Sequence, residues 1–297
     1  MSLSKLTPTF HQDSYPSISP TRPSLTQAGK TILITGGGVK IGFEIARSFA
    51  LASASRVIII GRRAEVLDEA VGKLRAEFQS TEFVAHQLDM ASEAVVTSLW
   101  ESLRSQNILV HVLVLNAAHF YPIASDTFSV AKKDLMEAYE TNVGGNFHMS
   151  CEFVKQALRP AGLKLHLVHV TTAGIHIPAA KVNSYTTSKM AFVALLGRIA
   201  DERTAEDVQI ISFHPGTLNS DNRFAQDAFP WDKLALPGNF AVWAASPEAT
   251  WLHGRFVWAH WDVDEMKADA EILRRLKNES DYLKIGVPGL SAVTVDG

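Results

Sequence analysis

Short β-branched runs alternate with segments of helical apolar spacing along most of this chain, and that alternation restricts the fold more than any other feature. Residues 31–35, 56–60, 83–88, 109–115, 165–171 and 209–213 read as strands. Between them, residues 43–51, 64–78, 93–106, 134–158 and 185–203 read as helices, with Val66, Leu67, Ala70, Val71 and Leu74 marking the apolar stripe of the second. Strand, crossover helix and strand in series build a parallel sheet with right-handed connections and helices on both faces. The run 109–115 is almost wholly apolar, as a strand buried on both faces is. The predicted fold class is α/β: a single doubly wound, Rossmann-like domain whose ligands bind outside the carboxyl ends of the strands.

Composition narrows the partners. The 297 residues carry a formal charge of −3, with 28 basic and 31 acidic side chains interspersed, and 46% are hydrophobic. That balance gives no reason to expect nucleic acid or an anionic membrane as partner, and residues 30–297 suffice for one large catalytic domain. The longest apolar run, residues 108–118, is interrupted by His111 and Asn116 and falls short of the ~18 residues of a membrane span. One cysteine, Cys151, excludes an intramolecular disulfide and fits a reducing, cytoplasmic compartment; a buried helix position is expected for it. No Cys/His/Asp cluster has zinc spacing, so no metal is expected. His166 and His169, three apart in a strand, face opposite sides, and His253 and His260 are expected as packed strand residues. Residues 1–29 are rich in Ser, Thr and Pro, carry only Lys5 and Arg22 as basic residues, and lack the apolar stretch of a secretory signal. Two readings of this segment stand: an extended arm over the domain or a neighbouring subunit, or a disordered tail.

Thr35-Gly36-Gly37-Gly38-Val39-Lys40-Ile41-Gly42 joins the first strand to the first helix. Glycines let backbone approach a pyrophosphate, and a helix N-terminus offers free N–H groups and a favourable dipole; a plain turn is the competing reading. The second strand ends in Ile60-Gly61-Arg62-Arg63, with no acid to hold a ribose 2′-hydroxyl. A guanidinium suits a 2′-phosphate, which favours NADP(H): one charged hydrogen bond contributes about 1.5–3 kcal/mol, or roughly 10- to 150-fold in affinity. A solvated helix start, with Glu65 partly neutralising the pair, is the alternative. Further along stands Tyr185-Thr186-Thr187-Ser188-Lys189. A Tyr and a Lys four apart on a helix share a face. The ammonium is expected to favour the phenolate, whose unperturbed pKa is about 10, as a general acid/base near neutral pH requires.

In this order the motifs resemble the short-chain dehydrogenase/reductase family over residues 30–261. Thr35, Gly36 and Gly42 match that family's Thr-Gly-x-x-x-Gly-x-Gly turn, with Lys40 in place of the middle glycine. Lysine takes φ > 0 less readily than glycine, although its charge could reach cofactor phosphates. Leu115-Asn116-Ala117-Ala118 keeps two of the four residues of the family's Asn-Asn-Ala-Gly. The stretch from Ser246 to Asp264 is similar to that of many fungal members. The resemblance implies cofactor contacts at Gly36, Gly38, Val39, Lys40, Ile41, Arg62, Arg63, Asp89, Met90, Asn116, Ala117, Tyr185, Lys189, Pro215, Gly216 and Leu218. It further implies a catalytic set of Asn142, Thr172, Tyr185 and Lys189. Thr172 stands 13 residues before Tyr185, where the family has serine, and Asn142 would hold a proton-relay water.

The implied reaction is hydride transfer between NADP(H) and a carbonyl or secondary alcohol. The substrate would lie among residues 119–122, residues 175–178 and a lid at about 218–236, in which Ser220 falls where the family often has threonine. The lid's Phe224, Phe229, Pro230 and Trp231 suggest an apolar or aromatic compound, or else core packing under the lid. A homodimer or homotetramer through helices 134–158 and 185–203 is also implied. Two other functions remain: a non-catalytic NADP(H)-binding regulator or scaffold, and a dehydratase or epimerase using His119 or His176.

Overall fold

The computed structural model describes residues 6–218 and 231–287. Its sheet has seven parallel strands in the order β3-β2-β1-β4-β5-β6-β7. They are β1 (Thr31–Thr35), β2 (Arg56–Gly61), β3 (Glu82–Gln87), β4 (Val112–Leu115), β5 (Leu165–Val170), β6 (Val208–His214) and β7 (Arg255–Trp258). Alternation within each strand feeds two cores: Ile32, Ile34, Val57 and Ile59 face one side, Leu33, Ile58 and Ile60 the other. Both sides are covered, which is why these strands read as unbroken apolar runs. Helices α1 (Lys40–Leu51), α2 (Ala64–Glu77) and α7 (Ala235–Ala244) cover the first core. Helices α3 (Glu93–Ser105), α5 (Asn146–Val154) and α6 (Asn183–Glu202) cover the second. This is the doubly wound α/β fold predicted. The chain reverses direction across the sheet between β1 and β4, so the crevice for a ligand opens there.

The expected helix over 134–158 is three pieces. Helix α4 (Lys132–Tyr139) passes into a widened π-helical turn, Glu140–Gly145, and then into α5. Gly145 lets that turn press on the loop after β3, since a Cβ there would lie 2.4 Å from the Met90 carbonyl. The helix stops at Val154, and Gln156 turns away to pair its amide with both backbone groups of Val110 at 2.8 and 2.9 Å.

Residues 6–29 form an arm on their own domain. Tyr15, Ile18 and Leu25 are buried in the first core. The Tyr15 hydroxyl donates to the Trp261 carbonyl at 3.0 Å, and His11 pairs with Asp262 at 2.8 Å. Beyond α7 lie two further helices, α8 (Val263–Ala268) and α9 (Ala270–Asn278). His253 and His260 flank β7 instead of lying in it; His253 Nδ1 accepts from Ile210 N at 3.2 Å. Cys151 is half-buried on α5, not fully buried. Among the described residues no helix is long and apolar enough to cross a membrane, and no cluster of three or more His, Cys, Asp or Glu could hold a metal.

Candidate active site

Thr35 closes the end of β1 against β4. Its Oγ1 accepts from Asn116 N and Ala117 N, both at 2.9 Å. The Asn116 side chain donates back to the carbonyls of Thr35 and Gly36 at 3.0 and 3.1 Å. The side chain of Asn116 is thus spent on holding the glycine turn, and the residue borders the cleft. The turn needs its glycines: Gly36 has φ +67°, and a Cβ on Gly42 would stand 2.1 Å from the Gly36 carbonyl. Lys40 adopts φ +53° in the left-handed region, so lysine does enter the conformation for which the family uses glycine.

From this turn a cavity of about 650 Å³ runs along the carboxyl edge of the sheet. Of the residues expected at a cofactor, Gly36, Gly38, Val39, Lys40, Ile41, Arg62, Arg63, Asp89, Met90, Asn116, Ala117, Tyr185, Lys189, Pro215 and Leu218 line it. Gly216 does not; it sits behind, at φ +108° and against Asp232. A dinucleotide fits this donor set. No side chain caps α1, and Val39, Lys40 and Ile41 bring its uncapped start to the cavity. Arg62 and Arg63 stand at the end of β2, with the loop fixed by Gln87 Nε2 donating to the Arg62 carbonyl at 3.0 Å.

Tyr185 and Lys189 share one face of α6 and open into the same cavity. The Phe120 ring lies 4.9 Å from the Tyr185 ring, centre to centre. Burial pushes the phenol up to about 12 and the Lys189 ammonium down to about 7. The expected lowering of the tyrosine by its lysine is therefore outweighed by desolvation. Lys189 Nζ turns to β5, donating to the Val170 carbonyl at 2.8 Å and approaching His169 Nε2 at 3.4 Å.

Asn142 is fully buried in the π-helical turn. Its Oδ1 accepts from His119 N at 2.7 Å, and its Nδ2 donates to His119 O at 2.8 Å and Ser188 Oγ at 2.9 Å. The side chain thereby ties the loop after β4 to α6, and none of these three bonds uses the Asn142 backbone carbonyl. That carbonyl already accepts from Asn146 Nδ2 at 3.0 Å.

Thr172 caps a short turn, its Oγ1 accepting from Gly174 N at 3.2 Å, which leaves its own hydrogen for donation. Its neighbour Thr171 lines the cavity, with a buried Oγ1 that has no hydrogen-bond partner among the described residues. Sequence reasoning missed Thr171 and also Asp232. Asp232 lines the cavity beside Trp231, and its Oδ2 accepts from Thr217 N at 2.6 Å and pairs with His260 Nε2 at 2.8 Å. No local pattern marks an acid at that position. His176, named as a possible acid, faces a different groove and accepts from Trp258 Nε1 at 3.0 Å. Of the lid, residues 219–230, with Ser220, Phe224, Phe229 and Pro230, lie outside the described residues.

The family model for short chain dehydrogenases matches residues 30–230. The short chain dehydrogenase/reductase nsrO of Aspergillus novofumigatus is 33% identical over 290 residues, covering 94% of this chain and 95% of its own. Among solved structures, the L-sorbose reductase of Gluconobacter frateurii complexed with NADPH and L-sorbose superposes with a TM-score of 0.71 at 20% identity, over 79% of this chain and 96% of that one. A 7α-hydroxysteroid dehydrogenase complexed with NADH gives 0.70 at 23% identity, over 83% and 97%. With the glycine turn, the Tyr185–Lys189 pair and the switch-point cavity, these matches make this chain a member of the short-chain dehydrogenase/reductase family of oxidoreductases.

Proposed function

We propose that this chain is an NADP(H)-dependent ketoreductase or alcohol dehydrogenase acting on a small apolar or aromatic carbonyl compound or the corresponding secondary alcohol. One observation carries the reading: Tyr185, Lys189, the glycine turn and Arg62 all open into one cavity. When bound, the dinucleotide supplies or accepts the hydride. A phenol held to about 12 keeps its proton at neutral pH, so Tyr185 is ready to protonate a carbonyl oxygen. Thr172, which follows the lining Thr171 but is not itself among the residues that line the cavity, donates a hydrogen bond to the same oxygen, where charge develops. Lys189 orients the nicotinamide ribose, and Asn142 supports the water that returns the proton. Phe120, Tyr121, Ile123 and Trp231 line the same cavity and supply an apolar wall for the substrate.

The choice of NADP(H) rests on Arg62 and Arg63, and on a β2 end without a carboxylate. Neighbouring structures with NADPH and with NADH both exist, so the titration decides. We expect NADPH to bind at least tenfold more tightly than NADH by protein fluorescence, and Arg62→Ala to erase most of that difference. Equal affinities in the wild type would overturn the NADP(H) assignment. We expect Tyr185→Phe to lower ketone reduction by about 10²- to 10⁴-fold while NADPH still binds; a fully active variant would overturn the general-acid role.

A dehydratase or epimerase would need a further acid or base at the substrate, and His119, which lines the cavity, is the candidate. Consumption of NADPH with a ketone separates the two. The scaffold reading draws on Lys40 and Thr172, and cofactor binding without turnover on any carbonyl would favour it. The same proposal treats residues 30–297 as the catalytic unit and residues 1–29 as its arm, in a cytoplasmic homodimer or homotetramer. Exposed Leu135 and Met136 on α4 and Phe147 on α5 support the oligomer, and light scattering tests it.

A further inference from the structure

We propose that His169 is a positioning residue for Lys189, locked as the Nδ1–H tautomer by Ser212 so that its Nε2 accepts one ammonium hydrogen and aims another into the cleft. The inference rests on the reading of Tyr185 and Lys189 given above. His169 lies on β5, fully buried, on the side of the sheet that carries α6. Strand register sets it beside Ser212 of β6, and its Nδ1 lies 3.3 Å from Ser212 Oγ. Its Nε2 lies 3.4 Å from Lys189 Nζ, and Phe192, one turn beyond the lysine, meets the ring edge-on at 4.9 Å.

An ammonium has only donors. If Lys189 donates to Nε2, the imidazole proton stands on Nδ1, where Ser212 Oγ is the acceptor in reach. Burial holds His169 well below its ordinary value, so the ring stays neutral and can play this part across the working pH range. Of the three ammonium hydrogens, one is taken by the Val170 carbonyl and one by His169. The third is left for the cavity that Lys189 lines together with Tyr185, where the ribose of the proposed cofactor would bind. An apolar residue at 169 would leave a single protein acceptor and a rotating charge.

The pair also bears on protonation. Burial lowers Lys189 to about 7, and a neutral acceptor opposes that loss by favouring the charged form. Among the described residues, the other groups around Lys189 are few. Tyr185 stands one turn before it on α6, β6 offers the uncharged Ser212, and the π-helical turn offers Asn142 through Ser188. Lys40, Arg62, Asp89 and Asp232 face it only across the cavity.

The first test needs no cofactor. In ¹⁵N-histidine NMR of the protein from pH 5.5 to 9, the His169 Nε2 resonance is expected to stay unprotonated. It should shift in one step as Lys189 titrates, and Lys189→Met should abolish the step. A proton on Nε2, or a resonance indifferent to Lys189→Met, overturns the proposal. The second test is the pH profile of ketone reduction. In His169→Leu the alkaline limb of kcat should move at least half a pH unit lower, with the KM for NADPH within twofold. His169→Asn, which keeps an acceptor, should restore most of the profile, and Ser212→Ala should fall between. A folded His169→Leu with the wild-type limb overturns the inference while leaving the proposed function standing. A wild type with no NADPH-dependent turnover sinks that function, and the NMR step still decides the contact.

Discussion

At the scale of single residues the site sets charge burial against function, and Lys189 shows the conflict most clearly. Unfolded, the lysine titrates near 10.5; folded, near 7. Between those values the unfolded chain holds a proton that the folded chain has released, so stability rises with pH across that window. Below about 7 the folded chain must carry a buried ammonium, and at roughly 1.4 kcal/mol per pKa unit the full cost is several kcal/mol. Lys189→Met is therefore expected to stabilise the cofactor-free protein strongly at pH 6, with the gain fading toward pH 10. Urea unfolding at the two pH values checks this, and a pH-independent gain would contradict it. Lys40 holds a smaller conflict: at φ +53° its left-handed backbone costs about 1–2 kcal/mol. In Lys40→Gly the relief is partly offset by glycine's greater freedom when unfolded, so stability should rise by about 1 kcal/mol or less. The same change removes a cation from the cleft, and NADPH affinity should fall roughly tenfold. Unchanged affinity would show that Lys40 faces the turn without reading the cofactor.

At the scale of elements, the strands and crossover helices were legible because burial on both faces writes itself as apolar runs and helical stripes. Residues 31–35, 64–78 and 165–171 were read to within a residue of β1, α2 and β5. The π-helical turn was not legible. An inserted residue shifts the apolar pattern without breaking it, and the reason for the shift is a contact, Gly145 on Met90, far away in sequence. The tyrosine and lysine were readable because their spacing is a helix period; Thr171, His169 and Asp232 were not, since each enters through a neighbouring strand or turn. The π-helical turn makes its own prediction. Asn142→Ala removes three hydrogen bonds from one buried amide, two to His119 and one to Ser188. At about 1 kcal/mol for each bond, plus the cost of backbone groups left unpaired, it should lose about 3–4 kcal/mol in denaturant unfolding. A loss under about 1 kcal/mol would mean that water replaces the side chain.

At the scale of the whole molecule, the arm reaches the far side of the active site. Gln12 O accepts from Lys233 N at 2.8 Å, Ser14 Oγ accepts from Asn239 Nδ2 at 2.6 Å, and the Phe10 ring stacks on His260 at 4.3 Å. His260 in turn grips Asp232, and Asp232 holds Thr217 in the turn beside the cavity. The chain's first described residues are thus linked, through one stacked ring and one buried His260–Asp232 hydrogen bond, to the turn expected beside the nicotinamide, whereas the glycine turn and Arg62 lie on the opposite half of the sheet. Removal of residues 1–13 should therefore act on one half of the site. Tyr15, Ile18 and Leu25 would remain to cover the core, so the protein should still fold, with a loss of about 1–3 kcal/mol from the missing contacts. Binding of adenosine 2′,5′-bisphosphate, which carries only the adenine half of the cofactor, should stay within twofold. Ketone reduction should fall about tenfold or more, because a loosened turn misplaces the reacting groups. Phe10→Ala should reproduce part of the defect with the arm in place. Equal losses of bisphosphate binding and turnover would instead make the arm a clamp on the entire fold, with no special hold on the catalytic half.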